Sequence, residues 1–187
     1  HSLKLLNRLE ISKPLTALHD HNEDRRIPEL IEKAKSGQKI AIISDAGTPC
    51  LSDPGHRLLK AARDGEVPFT VLPGPSAITT ALVASGFPPH PFSFHGFLPV
   101  KKGKRGKQLH AALQSGETTL FFESPHRLPS TMEILSELAP EARVCVAREL
   151  TKKFETLHHG TCAELFAHFN AHKPKGEIVL LIPPAAK

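Results

Sequence analysis

The feature that most constrains the fold is a regular alternation of short apolar runs with amphipathic stretches. Continuous apolar runs occur at residues 40–43, 69–72, 119–122, 144–147 and 178–182. Runs of this length are typical of strands that are buried on both faces. Between them, apolar side chains recur at helical spacing over 27–34, 78–85 and 128–138, and Gly37 and Gly86 stand where the first two helices would end. Alternating strands and helices predict an α/β fold with mostly parallel sheets.

The size and composition of the chain are those of a globular protein. A chain of 187 residues buries roughly 70% of its unfolded surface when it folds. No apolar run approaches the ~20 residues of a membrane span, and 40% hydrophobic against 23% charged residues excludes general disorder. Three well-separated cysteines, Cys50, Cys145 and Cys162, and the lack of a signal-like start predict a cytoplasmic setting.

Composition changes after residue 97. A proline-rich stretch at 88–91 comes before this point, and a basic run at 101–107 follows it. Residues 98–187 carry 13 basic and 9 acidic side chains, whereas residues 1–97 carry 11 and 10. We therefore expect two compact lobes, an N-terminal lobe over 1–97 and a C-terminal lobe over 98–187.

Four polar clusters begin where predicted strands end, at residues 44–55, 72–77, 123–127 and 148–152. Each cluster by itself is better explained as a turn, because glycine, proline, aspartate and serine are the usual turn residues. Open α/β sheets bind ligands beyond the carboxyl ends of their strands, where free backbone N–H groups are available. The four together therefore predict a ligand site in a cleft between the lobes.

The residues of these clusters also carry a family resemblance. The segments concerned are Asp-Ala-Gly-Thr-Pro-Cys-Leu-Ser-Asp-Pro-Gly at 45–55, Leu-Pro-Gly-Pro-Ser-Ala at 72–77, Phe-Glu-Ser-Pro-His-Arg at 122–127, Ala-Arg-Glu-Leu-Thr-Lys at 147–152 and Lys-Gly-Glu-Ile-Val at 175–179. Leu-His-Asp-His-Asn-Glu at 18–23 and Gly-Phe-Leu-Pro at 96–99 extend the likeness over nearly the whole chain. The chain resembles the tetrapyrrole methylase superfamily and, within it, the bacterial ribosomal RNA small subunit methyltransferase I branch.

This resemblance implies an S-adenosylmethionine-dependent enzyme that methylates the ribose 2′-hydroxyl of a cytidine in 16S rRNA. It implies a homodimer of two-lobed subunits, with RNA or the small ribosomal subunit as partner and no metal. The cofactor contacts that it implies are Asp45, Ala46, Gly47, Thr48, Leu51, Ser76, Ala77, Phe122, Glu123, Leu150 and Thr151. In that family an opening strand with its loop precedes the segment that matches 1–11, and a helical extension follows the last strand. We expect the activity of this chain to depend on both.

Methyl transfer from a sulfonium is an in-line displacement, so the protein mainly aligns the reacting groups. A ribose hydroxyl is a weak nucleophile, so a general base or a cation that stabilises the developing alkoxide would help. Arg148, Glu149 and Lys152 are our candidate catalytic residues, while Glu123 and His126 lie on a neighbouring predicted loop. The alternative is that Glu149 forms a structural ion pair between the lobes, with Arg148, Arg127 or a lysine.

Basic side chains give a candidate RNA surface, because lysine and arginine neutralise phosphates. Its residues are Lys101, Lys102, Lys104, Arg105, Lys107 and Arg127. The alternative is a flexible, solvated boundary loop. The chain has no Trp and no Tyr, so phenylalanine is the only large aromatic residue available for stacking on bases.

Other chemistries have weaker support. His19 and His21, or His158 and His159, would point different ways on a strand and lack further ligands at metal-site spacing. Fingerprints of dinucleotide enzymes, P-loop ATPases and α/β-hydrolases are absent. Two alternatives stay open: a porphyrinoid C-methyltransferase, and a noncatalytic RNA-binding or dimerisation module.

Overall fold

The computed structural model describes residues 2–185, and its contacts divide the chain into two units, residues 1–76 and 77–187. The sequence predicts a division after residue 97 instead. The structure groups residues 77–97 with the second unit because helix α4 and strand β1, both in this stretch, pack against and pair with the strands that follow.

Three helices form the first unit: α1 (Ser2–Arg8), α2 (Glu23–Lys35) and α3 (His56–Asp64). Helices α2 and α3 pack together through the buried side chains of Leu30, Leu58 and Ala62. The predicted helix over 27–34 is confirmed by α2. It begins with two acidic residues and ends with basic ones, which suits the helix dipole, and Gly37 follows with a φ of 89°.

Two strands predicted in the first unit are not formed, which corrects the sequence analysis. Residues 40–43 and 69–72 are not in a sheet, and several of their apolar side chains are exposed, Leu72 by 79%. An apolar run becomes a strand only when a neighbouring strand takes up its backbone donors and acceptors. No such neighbour pairs with either run within residues 2–76.

The second unit is built on one five-stranded sheet. The strands are β1 (Phe92–Phe97), β2 (Thr118–Glu123), β3 (Arg143–Arg148), β4 (Thr156–Thr161) and β5 (Ile178–Ile182), in the order β1-β2-β5-β3-β4. Only β1 and β2 are parallel, and the other three pairs are antiparallel. The expectation of mostly parallel sheets is therefore wrong for this sheet. Its three central strands, β2, β5 and β3, have continuous apolar runs because helices cover both faces of the sheet, whatever the strand direction.

Four helices cover the sheet: α4 (Ala77–Ser85), α5 (Lys102–Leu113), α6 (Leu128–Leu138) and α7 (Cys162–Ala171). Helix α4 packs on one face against Leu120, Cys145, Val179 and Leu181, and the other three pack on the opposite face around Phe121. The predicted helices at 78–85 and 128–138 and the predicted strands at 119–122, 144–147 and 178–182 are confirmed. Strands β1 and β4, at the two sheet edges, were not predicted.

The basic run is helical. Residues 102–107 form the first turns of α5, so the interpretation as a flexible boundary loop is wrong. Among residues 2–185, no helix has both the length and the apolar character to cross a membrane.

Candidate cofactor and substrate sites

In the first unit, residues 44–55 form a tightly bonded loop, which we call the acidic loop. The Ser44 hydroxyl donates to the carbonyls of Ala46 (3.1 Å) and Gly47 (3.0 Å). The Thr48 hydroxyl donates to the carbonyl of Pro75 (3.1 Å), so the first two predicted clusters lie together. Gly47 has a φ of 73°, and a Cβ there would lie 3.4 Å from the same carbonyl. The loop conformation therefore favours glycine at this position.

The far end of the acidic loop is anchored by a buried carboxylate. Glu23, only 3% exposed, accepts a hydrogen bond from the Gly55 N–H (3.0 Å) and lies 3.6 Å from the Arg57 guanidinium. Gly55 adopts a φ of 117°, and a Cβ there would approach the Cys50 sulfur to 2.9 Å. Sequence reasoning missed this role of Glu23, although the segment 18–23 carried part of the resemblance.

In the second unit, strand register brings three motif segments to the same end of the sheet, where strands β2 and β3 end and β5 begins. Glu123 at the end of β2 pairs with Ile178 at the start of β5, and Ile178 also pairs with Arg148 at the end of β3. The segments 123–127, 148–152 and 175–177 therefore begin or end at the same place. Two of the predicted clusters, 123–127 and 148–152, thus lie at the same end of this sheet.

Glu123 is buried at this end of the sheet, with hydrogen-bond partners for both carboxylate oxygens. It accepts from the Ser124 N–H (2.7 Å), the Thr131 hydroxyl (2.6 Å) and the Arg127 guanidinium (2.8 Å). Arg127 also donates to the carbonyl of Leu98 (3.0 Å). The carboxylate thus fixes the loop at 124–127, and its contact with a cofactor stays a prediction.

Glu149 and Lys152 form an ion pair within the second unit. One Glu149 oxygen accepts from Lys152 Nζ and from the Glu177 N–H, both at 2.9 Å. The Glu177 hydrogen bond and then Lys152 lower the pKa of the Glu149 carboxyl, and chiefly Glu149 raises the pKa of the Lys152 ammonium. Glu149 thus has a lysine as its ion-pair partner, as the alternative expects, but the pair lies within one unit and is not the interlobe pair of that interpretation.

The backbone around this pair is unusual. Glu149 and Thr151 have φ values of 52° and 64°, and Gly176 has 90°. A Cβ on Gly176 would lie 2.3 Å from the Glu149 carboxyl, so this position has no room for a side chain. Neither Gly176 nor Glu177 was among the predicted site residues, although both belong to the quoted motif at 175–179.

Arg148 holds the β3–β4 loop, residues 149–155. Its guanidinium donates to the Thr156 hydroxyl (3.0 Å) and to the carbonyls of Lys175 (3.1 Å) and Phe154 (3.0 Å). Each of its nitrogens has a partner in its own unit, so the arrangement is that of a residue that positions the loop.

Two further predicted cofactor contacts are apolar. Phe122 is half-buried and packs against Phe94, with ring centroids 4.8 Å apart, and against Phe97, at 5.4 Å. Leu150 packs against the sheet face that α4 covers.

The basic run of α5 separates into exposed and buried members. Lys101, Lys102, Lys104 and Lys107 are exposed. Arg105 is only 4% exposed and donates to the Ser130 hydroxyl (2.6 Å) and to the Val100 carbonyl (3.2 Å). Arg105 is therefore enclosed by its own unit and does not present its charge to RNA, contrary to the sequence analysis.

The adjacent residues His158 and His159 lie on opposite faces of the sheet. His158 contacts the rings of His168 and Phe169, whereas His159 contacts Phe87 on the opposite sheet face. Over residues 2–185, no three His, Cys, Asp or Glu side chains are grouped so that they could hold a metal ion.

Comparison with known proteins gives a consistent result. The family model of tetrapyrrole (corrin/porphyrin) methylases matches residues 4–165. Proteins named ribosomal RNA small subunit methyltransferase I are 45% identical in Vibrio cholerae, 41% in Bacillus subtilis and 39% in Thermotoga maritima, over 97%, 96% and 97% of this chain. The chain spans 64%, 61% and 81% of those relatives.

Solved structures share the fold. The methyltransferase CobJ matches with a TM-score of 0.68 at 20% identity, over 95% of this chain and 80% of that one. Diphthine synthase matches with a TM-score of 0.64 at 17% identity, over 91% and 70%. Since the family model covers most of the chain and the Thermotoga relative is 39% identical with 81% of its length covered, the chain belongs to the tetrapyrrole methylases and, among them, to the ribosomal RNA small subunit methyltransferase I family.

Proposed function

We propose that this chain carries the methyl-transfer machinery of an S-adenosylmethionine-dependent enzyme that methylates the ribose 2′-hydroxyl of a cytidine in 16S rRNA. The single observation that carries the proposal is identity of 39% to 45% with three relatives named for this rRNA methyltransferase. Two places support it, the acidic loop and the end of the sheet at Glu123, Arg148 and Ile178, because both consist of segments that carry the family resemblance.

The residues of the acidic loop fit the chemistry of S-adenosylmethionine. That molecule offers ribose hydroxyls and an ammonium as donors, and the Asp45 carboxylate is exposed. Gly47 leaves its backbone open to close approach, and Leu51 exposes 49% of its surface as an apolar contact. The proposed cofactor contacts remain those of the sequence analysis: Asp45, Ala46, Gly47, Thr48, Leu51 and Ser76 of the first unit, and Ala77, Phe122, Glu123, Leu150 and Thr151 of the second.

When bound, S-adenosylmethionine supplies a methyl group on a sulfonium. We assign Lys152 to the developing negative charge on the 2′-oxygen, because a preorganised cation stabilises an alkoxide. The hydroxyl proton would pass to solvent water as the carbon–oxygen bond forms and the carbon–sulfur bond breaks. The raised pKa keeps Lys152 protonated at neutral pH. The lowered pKa of Glu149 makes it a poor general base, so it positions the ammonium of Lys152. Arg148 positions the loop that carries both.

The exposed lysines 101, 102, 104 and 107 supply the proposed phosphate contacts. Arg127 stays a weaker candidate, because its side chain is 23% exposed and engaged by Glu123. The proposed partner is 16S rRNA in the small ribosomal subunit, and the proposed state is a cytoplasmic homodimer. Free thiols at all three cysteines fit a reducing compartment.

The test is transfer of radiolabelled methyl from S-adenosylmethionine to small ribosomal subunits, with the modified nucleotide mapped by mass spectrometry. We expect 2′-O-methylcytidine from the full-length wild-type protein and a turnover roughly 100-fold lower in its Lys152→Met variant. Cofactor affinity, measured by calorimetry, should stay unchanged. Lys152→Arg, which keeps the charge, should retain more activity than Lys152→Met, and Lys173→Met serves as the matched control with an exposed lysine.

Each alternative has its own outcome. Methylation of a porphyrinoid but not of RNA would replace the proposal with the C-methyltransferase. RNA binding without cofactor binding would replace it with the noncatalytic module. Equal turnover in Lys152→Met and Lys173→Met would remove Lys152 from the mechanism while leaving the activity in place.

A further inference from the structure

An exposed phenylalanine stands on the loop that carries the proposed catalytic lysine. Phe154 exposes 63% of its surface, whereas Phe121 and Phe169 in the core expose 0% and 2%. The ring lies in the β3–β4 loop, two residues beyond Lys152.

The backbone beneath this ring is held firmly. The Phe154 carbonyl accepts from the Arg148 guanidinium at 3.0 Å, and the next N–H, of Glu155, donates to the Lys152 carbonyl at 3.1 Å. The Glu155 carboxylate in turn accepts from the Thr151 N–H. An aromatic side chain on a fixed backbone loses little conformational entropy when it contacts a partner.

A lysine lies beside the ring. Lys153 Nζ lies 5.6 Å from the centroid of the Phe154 ring, within cation–π range. Lys175, whose backbone carbonyl accepts a hydrogen bond from the Arg148 guanidinium, is also exposed. An outward aromatic ring beside exposed lysines is the combination that proteins use on single-stranded nucleic acid, where bases stack and phosphates pair with cations.

We infer that Phe154 is a stacking platform for an unpaired nucleobase of the RNA substrate, with Lys153 on an adjoining phosphate. This inference rests on the proposed function and adds to it a base contact on the loop of Lys152. The surface lysines of α5 supply charge without a phenylalanine within that helix.

The probe is a short, unstructured, fluorescein-labelled RNA, titrated by fluorescence anisotropy at fixed salt. Stacking on one base predicts about 5- to 100-fold weaker binding by Phe154→Ala. Phe154→Tyr should bind like the wild type, and Phe154→Leu should bind like Phe154→Ala. Lys153→Met should reduce the slope of log affinity against log salt by about one. Val83→Ala removes an apolar side chain that is 78% exposed on α4 and serves as the control.

Calorimetry with S-adenosylmethionine on the same variants reports whether they are folded. RNA affinity equal to wild type in Phe154→Ala, or equal in Phe154→Leu and Phe154→Tyr, would overturn the inference and leave the proposed function standing. A wild-type chain that binds the cofactor but no RNA would overturn both. If Phe154→Ala loses cofactor binding, the comparison of Phe154→Leu with Phe154→Tyr decides.

Discussion

Replacing Gly176 with alanine tests how tightly the Glu149 carboxylate is held against the loop before β5. A Cβ at this position would lie 2.3 Å from the Glu149 carboxyl, well inside van der Waals contact, and the backbone has a φ of 90°. The Glu149 side chain must therefore move, and its hydrogen bonds with the Glu177 N–H and Lys152 are lost.

The expected cost has two parts. A left-handed backbone costs a residue with a Cβ about 1–2 kcal/mol. A hydrogen bond to a carboxylate contributes about 1.5–3 kcal/mol, and we take the lower end because Lys152 is 40% exposed and the ion pair adds little. Gly176→Ala should therefore lower the free energy of unfolding by roughly 2–4 kcal/mol, or Tm by about 5–15 °C in a chain of this size.

Urea unfolding followed by far-ultraviolet circular dichroism measures this, since the chain has no Trp or Tyr for fluorescence. The matched control is Gly116→Ala, because a Cβ there meets nothing within 4 Å. Its effect should stay within about 0.5 kcal/mol. If Glu149 causes the clash, the costs of Gly176→Ala and Glu149→Ala should add to at least about 1 kcal/mol more than the cost of the double variant. Additive costs, or equal effects at Gly176 and Gly116, would refute the reasoning.

Three further predictions concern single groups. The pKa of Glu149 lies below its ordinary value of 4.5. The stabilisation from this carboxylate is therefore present above pH 4.5 and is lost as the pH falls through the lower, folded-state pKa. Urea unfolding at stepped acid pH should show a smaller loss of unfolding free energy in Glu149→Gln than in wild type. Burial raises the pKa of Cys145 to about 12 and that of Cys162 to about 11. Iodoacetamide at pH ~8 should therefore modify half-buried Cys50 first, which intact-mass spectrometry measures. Equal labelling of all three cysteines would contradict the burial. Arg105→Ala should cost about 2–3 kcal/mol in urea unfolding, because it removes the hydrogen bonds that a buried, charged guanidinium donates, and should leave RNA affinity in the anisotropy assay unchanged.

The periodicity of the sequence predicts elements better than it predicts their pairing. Helices α2, α4 and α6 follow from apolar spacing, and three central strands follow from continuous apolar runs. Strand direction does not follow, because a run buried on both faces looks the same in parallel and antiparallel sheets. The edge strands β1 and β4 mix histidine, glycine and polar residues with apolar ones and so lack a clear pattern.

The positions of the site loops were predictable, but the partners of charged residues were not. Glycine, proline and aspartate mark where strands end, so the clusters at 123–127 and 148–152 could each be placed at the end of a strand. Whether a charge is buried depends on distant residues: Arg105 donates to Ser130, and Glu123 accepts from Thr131 on a helix that follows. Local spacing contains no signal for such contacts.

The unpaired apolar runs of the first unit have a consequence for local opening. The amides of residues 40–43 and 69–72 lie outside any strand ladder, whereas those of β5 lie between two antiparallel neighbours in a fully buried strand. Protection from hydrogen exchange follows the free energy of the smallest opening that exposes an amide. We therefore expect the two apolar runs of the first unit to take up deuterium almost at once. Strand β5 should exchange only when the sheet itself comes apart, so one chain contains both the fastest and the slowest exchanging apolar segments.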